Sequence, residues 1–193
     1  MKKLFIVSAV ALAVITGCAQ QQTVSQGTVV EQQQAAAIIV SPNDQRQYKT
    51  FTLPNKLEVV LVSDPSTEKS AVSLSVGAGM FQDPMTQQGL AHYLEHMLFM
   101  GTERYPDPAE YAGFMSQHNG AYNAYTWLDI TNYMFEINNN VYDEALDRFS
   151  DFFKTPKFYP EYSDKERNAV NAEQSMRREQ DFLAQFELMR RMF

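Results

Sequence analysis

The order of two hydrophobic periodicities along residues 49–193 constrains the fold of this chain more than any other feature. Short segments rich in β-branched and aromatic residues come first, and residues 70–78 alternate with the two-residue period of a half-buried strand. Residues 87–100 then place four apolar side chains on one helical face, with Gly101 at the usual cap position. Strands interspersed with helices predict an α+β class, with a mainly antiparallel sheet and packed helices.

The same patterns predict the individual elements. The predicted strands are 49–53, 57–63, 70–78, 122–127 and 131–137, and Pro54-Asn55 would turn the first two into a hairpin. The predicted helices are 87–100, 107–120, one opening at Asn140, and one from Ser163 to the carboxyl end, where no stop signal is present. Asp107-Pro108 would begin the second helix, Asn140 with Asp143 resembles a capping box, and so does Ser163 with Glu166.

Net charge excludes one large class of functions. The 193 residues contain 16 Lys+Arg against 23 Asp+Glu, which gives a formal charge of −7. Nucleic-acid binding is therefore not expected, because neutralising phosphates requires clustered positive charge.

The amino-terminal sequence is typical of a bacterial secretion signal. Met1-Lys2-Lys3 is followed by an apolar run from Leu4 to Thr16. As a helix this run would reach only about 20 Å, too short for the hydrocarbon core, so a membrane span is the weaker interpretation. The run ends in Ile15-Thr16-Gly17-Cys18, which resembles a bacterial lipobox, and Cys18 is the only cysteine. The alternative is a stray cysteine in a signal that is cleaved nearby.

A lipidated Cys18 would divide the chain into a lipoprotein signal peptide (1–17), a Gln-rich flexible tether (18–48) and a folded body (49–193). The acyl chains would bind the protein to a membrane. Ala19 follows the cysteine. The resemblance to lipoproteins without an acidic residue there implies a location in the bacterial cell envelope, lipid-anchored to the outer membrane and facing the periplasm.

Two of the three histidines suggest metal chemistry. His92 and His96 lie one turn apart on the first predicted helix, and Glu95 flanks them. This arrangement can hold Zn²⁺ with two imidazoles while the carboxylate acts as a general base. The alternative is two unrelated histidines on an amphipathic helix. His118 is expected to be a surface or capping residue.

Spacing leaves the third zinc ligand open. Glu166 and Glu173 share one face of the last predicted helix but lie about 10.5 Å apart along its axis. The two carboxylates therefore cannot bind the same ion together, and their spacing does not indicate which of them is the ligand.

Four sequence blocks together resemble the insulinase, or pitrilysin, family of inverted-motif zinc metallopeptidases. The blocks are GLAHYLEHMLFMGT (89–102), HNGAYNAYTWLDITNYMFEI (118–137), EALDRFSDFF (144–153) and ERNAVNAE (166–173). The resemblance implies a zinc metalloendopeptidase domain with one Zn²⁺ held by His92, His96 and Glu173. It further implies that Glu95 is the general base and that Glu166 supports the site without touching the metal. Asn123, Ala124 and Tyr125 would form the edge strand that binds the peptide substrate.

Length departs from the family pattern, because those enzymes enclose substrate between two homologous halves. Residues 49–193 resemble only the amino-terminal part of the first half. The sequence is therefore interpreted as a truncated copy, a fragment of a longer precursor, or one subunit of a split enzyme with a second homologous half or subunit as partner. An alternative function is a non-catalytic, truncated peptide-binding lipoprotein with a structural zinc site. A metal-free envelope scaffold is a third possibility.

Overall fold

The computed structural model describes residues 38–177 and residues 185, 188, 189, 191 and 192. The predicted signal peptide, Cys18 and most of the predicted tether lie outside these residues. None of the helices in the described part of the chain is both long and apolar enough to cross a membrane. The described residues divide into two compact units, one ending at Pro65 and the other beginning at Ser66.

The first unit contains the predicted hairpin. Strand β1 (Gln47–Thr52) pairs antiparallel with β2 (Glu58–Ser63). The turn is closed by a hydrogen bond of 2.8 Å from the Lys56 N–H to the Leu53 carbonyl, and Lys56 has a positive φ of 70°. Strand β1 begins two residues before the predicted start at residue 49.

A three-stranded antiparallel sheet organises the second unit. Strands β3 (Lys69–Val76), β4 (Ala121–Thr126) and β5 (Thr131–Asn138) lie in the order β3-β5-β4. The central strand therefore has a partner on each side, and β4 forms one edge. The antiparallel sheet confirms the prediction of an α+β class with a mainly antiparallel sheet.

Within residues 38–177, four α-helices accompany this sheet: α1 (Leu90–Leu98), α2 (Glu110–Gln117), α3 (Tyr142–Asp151) and α4 (Pro160–Arg177). Alternate residues of β5 point into the core, where aromatic and aliphatic side chains from the sheet meet those of α1, α2 and α3. The buried core residues are Leu98, Tyr111, Phe114, Met115, Tyr133, Phe135, Ile137, Ala145, Phe149 and Phe152. One face of the sheet is thus covered by helices, as the two-residue period of β5 requires.

All four helix starts differ from the predictions, and α1 begins at Leu90, three residues after its predicted start at residue 87. Helix α2 begins at Glu110, because Asp107 accepts a hydrogen bond from the Ala109 N–H and stays in the preceding turn. Helix α3 begins at Tyr142 after a short 3₁₀ turn, so the capping box predicted at Asn140 is wrong.

The predicted start of the last helix is also wrong. Helix α4 begins at Pro160, whose fixed φ suits the first helical turn. Ser163 is therefore inside the helix, and its hydroxyl accepts a hydrogen bond from the Tyr93 hydroxyl at 2.8 Å. Glu166 has no capping role and is directed towards α1 instead.

Candidate metal centre

The position of helix α1 fixes the two histidines. Gly89, with a φ of 87°, precedes the helix in a conformation that residues with a Cβ rarely adopt. The carboxylate of Asp83 accepts hydrogen bonds from the N–H groups of Gly89 (2.8 Å) and Ala91 (2.9 Å). These are amide groups that a helix leaves without an internal partner, so Asp83 caps α1 and determines where its turns begin.

Three nitrogen and oxygen donors converge where α1 and α4 meet. His92 Nε2 lies 3.3 Å from His96 Nε2 and 3.6 Å from an oxygen of Glu173, and His96 Nε2 lies 3.8 Å from the other oxygen of Glu173. The three ligand atoms all lie within 4.8 Å of one another. Two ligands bound to a tetrahedral zinc at about 2.1 Å are about 3.4 Å apart, so these three residues fit a zinc ion.

Glu166 lies behind this cluster. One of its oxygens is 3.1 Å from His96 Nδ1, and its side chain is only 10% exposed. A carboxylate at this position accepts the Nδ1 proton, which leaves the Nε2 lone pair directed at the metal position. The structure therefore places Glu173 beside both Nε2 atoms and Glu166 on the far side of one ring, an arrangement that spacing along α4 could not decide.

Glu95 points from the same helix towards the sheet. Its side chain is buried, and one oxygen, Oε2, accepts a hydrogen bond of 2.6 Å from the Thr126 hydroxyl at the end of β4. Burial, together with the negative charge of Glu95, raises the pKa of the neighbouring Tyr133 well above its usual value. Tyr133 is therefore a neutral neighbour of Glu95 at physiological pH.

Asn123, Ala124 and Tyr125 lie on the edge strand. The Trp127 N–H donates to the Ile130 carbonyl, so these two residues form a hydrogen-bonded pair. Hydrogen-bonded and non-hydrogen-bonded pairs alternate along the ladder, so Ala124 is in a non-hydrogen-bonded pair and its N–H and C=O face away from β5. That outward N–H donates to the side-chain oxygen of Asn123 at 2.9 Å. Within the described residues no other strand pairs with this edge.

The remaining predicted site residues fall elsewhere. His118 is the C-cap residue of α2, and its ring packs against Phe114 at 4.7 Å, so it is separate from the cluster. Cys18 lies outside the described residues.

Sequence reasoning missed two residues that support the site, Asp83 and Thr126. The loop that contains Asp83 is fastened to the turn after β4 by hydrogen bonds from Met80 and Phe81 to the Trp127 and Leu128 carbonyls, at 2.8 and 2.7 Å. An aspartate followed six residues later by a glycine at a helix start was the only local signal for the first. Nothing local to the sequence indicated the second.

A helix carrying H-x-x-E-H against an antiparallel sheet, with an acid from a distant helix beside both imidazoles, defines the inverted-motif class of metallopeptidase domains. Comparison with known proteins supports this class. A profile described as Insulinase (Peptidase family M16) matches residues 58–191. The chain belongs to this family.

The chain is also similar to individual proteins. The chain is 47% identical over 145 residues to the A-factor-processing enzyme of Saccharomyces cerevisiae, a match that covers 75% of the chain and 14% of that protein. It is 45% identical over 136 residues to the insulin-degrading enzyme of Homo sapiens, covering 70% and 13%. The crystal structure of pitrilysin superposes with a TM-score of 0.67 at 43% identity, covering 70% and 14%. The chain thus spans about one seventh of the length of these relatives.

Proposed function

We propose that this chain is a zinc-dependent metalloendopeptidase domain that hydrolyses peptide bonds in peptides or small proteins. His92, His96 and Glu173 would hold one zinc ion, and Glu95 would act as the general base. The observation that carries the proposal is the convergence of three ligand atoms at separations that suit one zinc ion. Membership of the insulinase family supports the same reaction.

Each residue has a defined task in this proposal. When bound, zinc would polarise a peptide carbonyl and make a water molecule acidic enough to lose its proton near neutral pH. Glu95, held at one oxygen by Thr126, would accept that proton on its other oxygen and return it to the leaving amine. Glu166 would keep His96 in the tautomer that offers Nε2 to the metal.

Strand β4 would bind the substrate. An extended peptide can add to a free sheet edge through main-chain hydrogen bonds. The outward C=O of Ala124 would accept one such bond, and its outward N–H would exchange its hydrogen bond to Asn123 for one to the peptide. Replacing Ala124 with Pro removes the outward N–H without removing a bond to β5. This change is expected to raise KM about tenfold or more, while Ala124→Ser leaves it nearly unchanged. Equal KM values in both variants would contradict this role for the strand.

The decisive experiment measures zinc content together with cleavage of a quenched-fluorescent peptide. The wild type is expected to cleave the peptide, and a chelator is expected to stop cleavage. Glu95→Gln should retain zinc and lose cleavage, whereas Glu161→Gln, an exposed change on α4, should preserve both. A zinc-loaded wild type that binds peptide without cleaving it would contradict the catalytic proposal. The retained base, hydrogen-bonded beside the metal ligands, does not favour a purely structural zinc site.

We also propose that a second homologous half or subunit completes the enzyme. Beside α1 an apolar groove of about 310 Å³ includes Leu94, Val76 and Phe158, all of them exposed. The relatives are several times longer than this chain. We propose that an apolar helix or strand from the part of such a protein that this chain lacks occupies the groove. Adding a polypeptide with the following segments of an insulinase-family protein is expected to increase cleavage, and Leu94→Lys is expected to abolish the increase. No increase on addition would contradict this part of the proposal.

For location, we propose lipid anchoring through Cys18 in the bacterial cell envelope, at the outer membrane. The lipobox-like segment 15–18 and the apolar run before it support this proposal. Cys18→Ser should move the protein from the membrane pellet to the soluble fraction. Identical fractionation of the two proteins would exclude the anchor.

A further inference from the structure

A short hydrogen bond beside the metal ligands joins Glu95 to Thr126. The Thr126 hydroxyl donates to Glu95 Oε2 at 2.6 Å, and both residues are 8% exposed. The two residues are 31 positions apart, and the bond links helix α1 to the last residue of the edge strand β4. Hydrogen bonds to a charged, buried acceptor are among the stronger ones in proteins.

The neighbouring threonine explains why the Thr126 proton is directed to the carboxylate. Thr131 lies opposite Thr126 in the β4–β5 ladder, and its hydroxyl oxygen is 3.4 Å away. The Thr131 proton is used in a 2.9 Å hydrogen bond to the Ala78 carbonyl. A carboxylate can only accept, so Thr126 supplies the proton of the bond to Glu95.

The strand end that carries Thr126 is itself held firmly. The Trp127 carbonyl accepts a hydrogen bond from the Met80 N–H, and a Cβ on Gly79 would overlap backbone atoms of Trp127 and Ile130. The hydroxyl therefore projects from a backbone with little freedom to shift, and it can fix the orientation of a longer, more flexible side chain.

We propose that Thr126 is a positioning residue for the general base. Its hydroxyl holds Oε2 of Glu95, so that Oε1 alone is presented to the water that loses its proton. This inference rests on the proposed function, because it assigns Glu95 the role of base. It also links the two parts of the site, since the strand that would bind the peptide ends in the residue that orients the base.

Three substitutions test the proposal. Thr126→Val keeps the shape and loses the hydroxyl, and it is expected to lower kcat by about 10- to 100-fold with KM and zinc affinity nearly unchanged. Thr126→Ser keeps the hydroxyl and is expected to retain most of kcat. Thr102→Val, which removes a fully buried threonine hydroxyl away from the site, should lower thermal stability without lowering kcat. Equal kcat in the wild type and Thr126→Val would overturn the proposal, as would equal losses in the Val and Ser variants.

A second measurement does not depend on cleavage. In protein with ¹³C-labelled glutamate, the three-bond couplings of the Glu95 side chain should report one rotamer in the wild type and in Thr126→Ser, and averaged rotamers in Thr126→Val. If Thr126→Val does not fold, Thr126→Ala provides the same loss of the hydroxyl. Unchanged couplings in the folded variant would overturn the positioning role. A wild type that shows one rotamer and cleaves no peptide would instead refute the proposed function.

Discussion

The contact between Glu166 and His96 makes a quantitative prediction about zinc affinity. The 3.1 Å contact joins His96 Nδ1 to a side chain that is 10% exposed. A hydrogen bond to a charged group contributes about 1.5–3 kcal/mol, and a bond between neutral groups about 0.5–1.5 kcal/mol. Glu166→Gln keeps an oxygen acceptor but loses the charge, so it should cost about 1–1.5 kcal/mol. Glu166→Ala removes the acceptor and should cost about 2–3 kcal/mol.

These energies convert directly into zinc affinity. Without the acceptor, His96 can place its proton on Nε2 and its ring can turn away, and zinc binding must reverse both changes. Since 1.36 kcal/mol corresponds to a factor of ten, the dissociation constant should rise about tenfold in Glu166→Gln and about 30- to 160-fold in Glu166→Ala. The assay is competition with a chromophoric zinc chelator at one fixed pH.

Glu161→Gln is the matched control, because it removes the same charge from an exposed position on the same helix. It should bind zinc as the wild type does. If Glu166→Ala also binds zinc with wild-type affinity, the supporting role of Glu166 is refuted. A loss in Glu161→Gln equal to that in Glu166→Gln would show that net charge, and not the contact with His96, sets the affinity.

Three further predictions concern stability. Asp83→Ala should lower the free energy of unfolding by about 1–2 kcal/mol, because it removes the cap of α1, and urea denaturation would show this as a lower midpoint with an unchanged slope. Gly79→Ala should lower the melting temperature clearly, since its Cβ would overlap the backbone of the β4–β5 turn, whereas Gly77→Ala has free space and should melt near the wild type; equal melting of the two would contradict the packing described. Hydrogen bonds from Arg104 and from a tyrosine lower the pKa of Asp147 from 3.8 to about 2. Because the pKa of Asp147 is depressed, the stabilisation that its ionised carboxylate provides is present above about pH 4 and is lost as the pH falls towards 2. The difference in urea midpoint between the wild type and Asp147→Asn should therefore shrink over that range. A constant difference would show that the ionised carboxylate is not the source of the stabilisation.

Periodicity predicted the parts of the fold that depend on local pattern. The two hairpins, the strand predicted at residues 70–78 and the helix with both histidines follow from spacing and turn residues. The structure confirms these elements, with the strand at Lys69–Val76. Capping signals were less reliable. The boxes at Asn140 and Ser163 failed because a 3₁₀ turn and an earlier proline set the true helix starts.

Local sequence predicted only part of the candidate site. The pair on α1 could be recognised because both histidines lie within one turn. The different positions of Glu166 and Glu173 depend on how α4 lies against α1, which spacing along one helix does not contain; the resemblance to the family supplied that distinction. Asp83 and Thr126 were missed because each acts on a residue that is near in space and distant or unremarkable in sequence.

The most direct test of the account is the metal content of the purified, folded chain. Elemental analysis after zinc supplementation and removal of loosely bound metal should give one zinc per chain in the wild type and in Glu95→Gln. Glu173→Ala should give far less at the same free zinc concentration, because only two of the three ligands remain. A folded wild-type chain without zinc, or full zinc occupancy in Glu173→Ala, would contradict the metal centre on which the proposed activity depends.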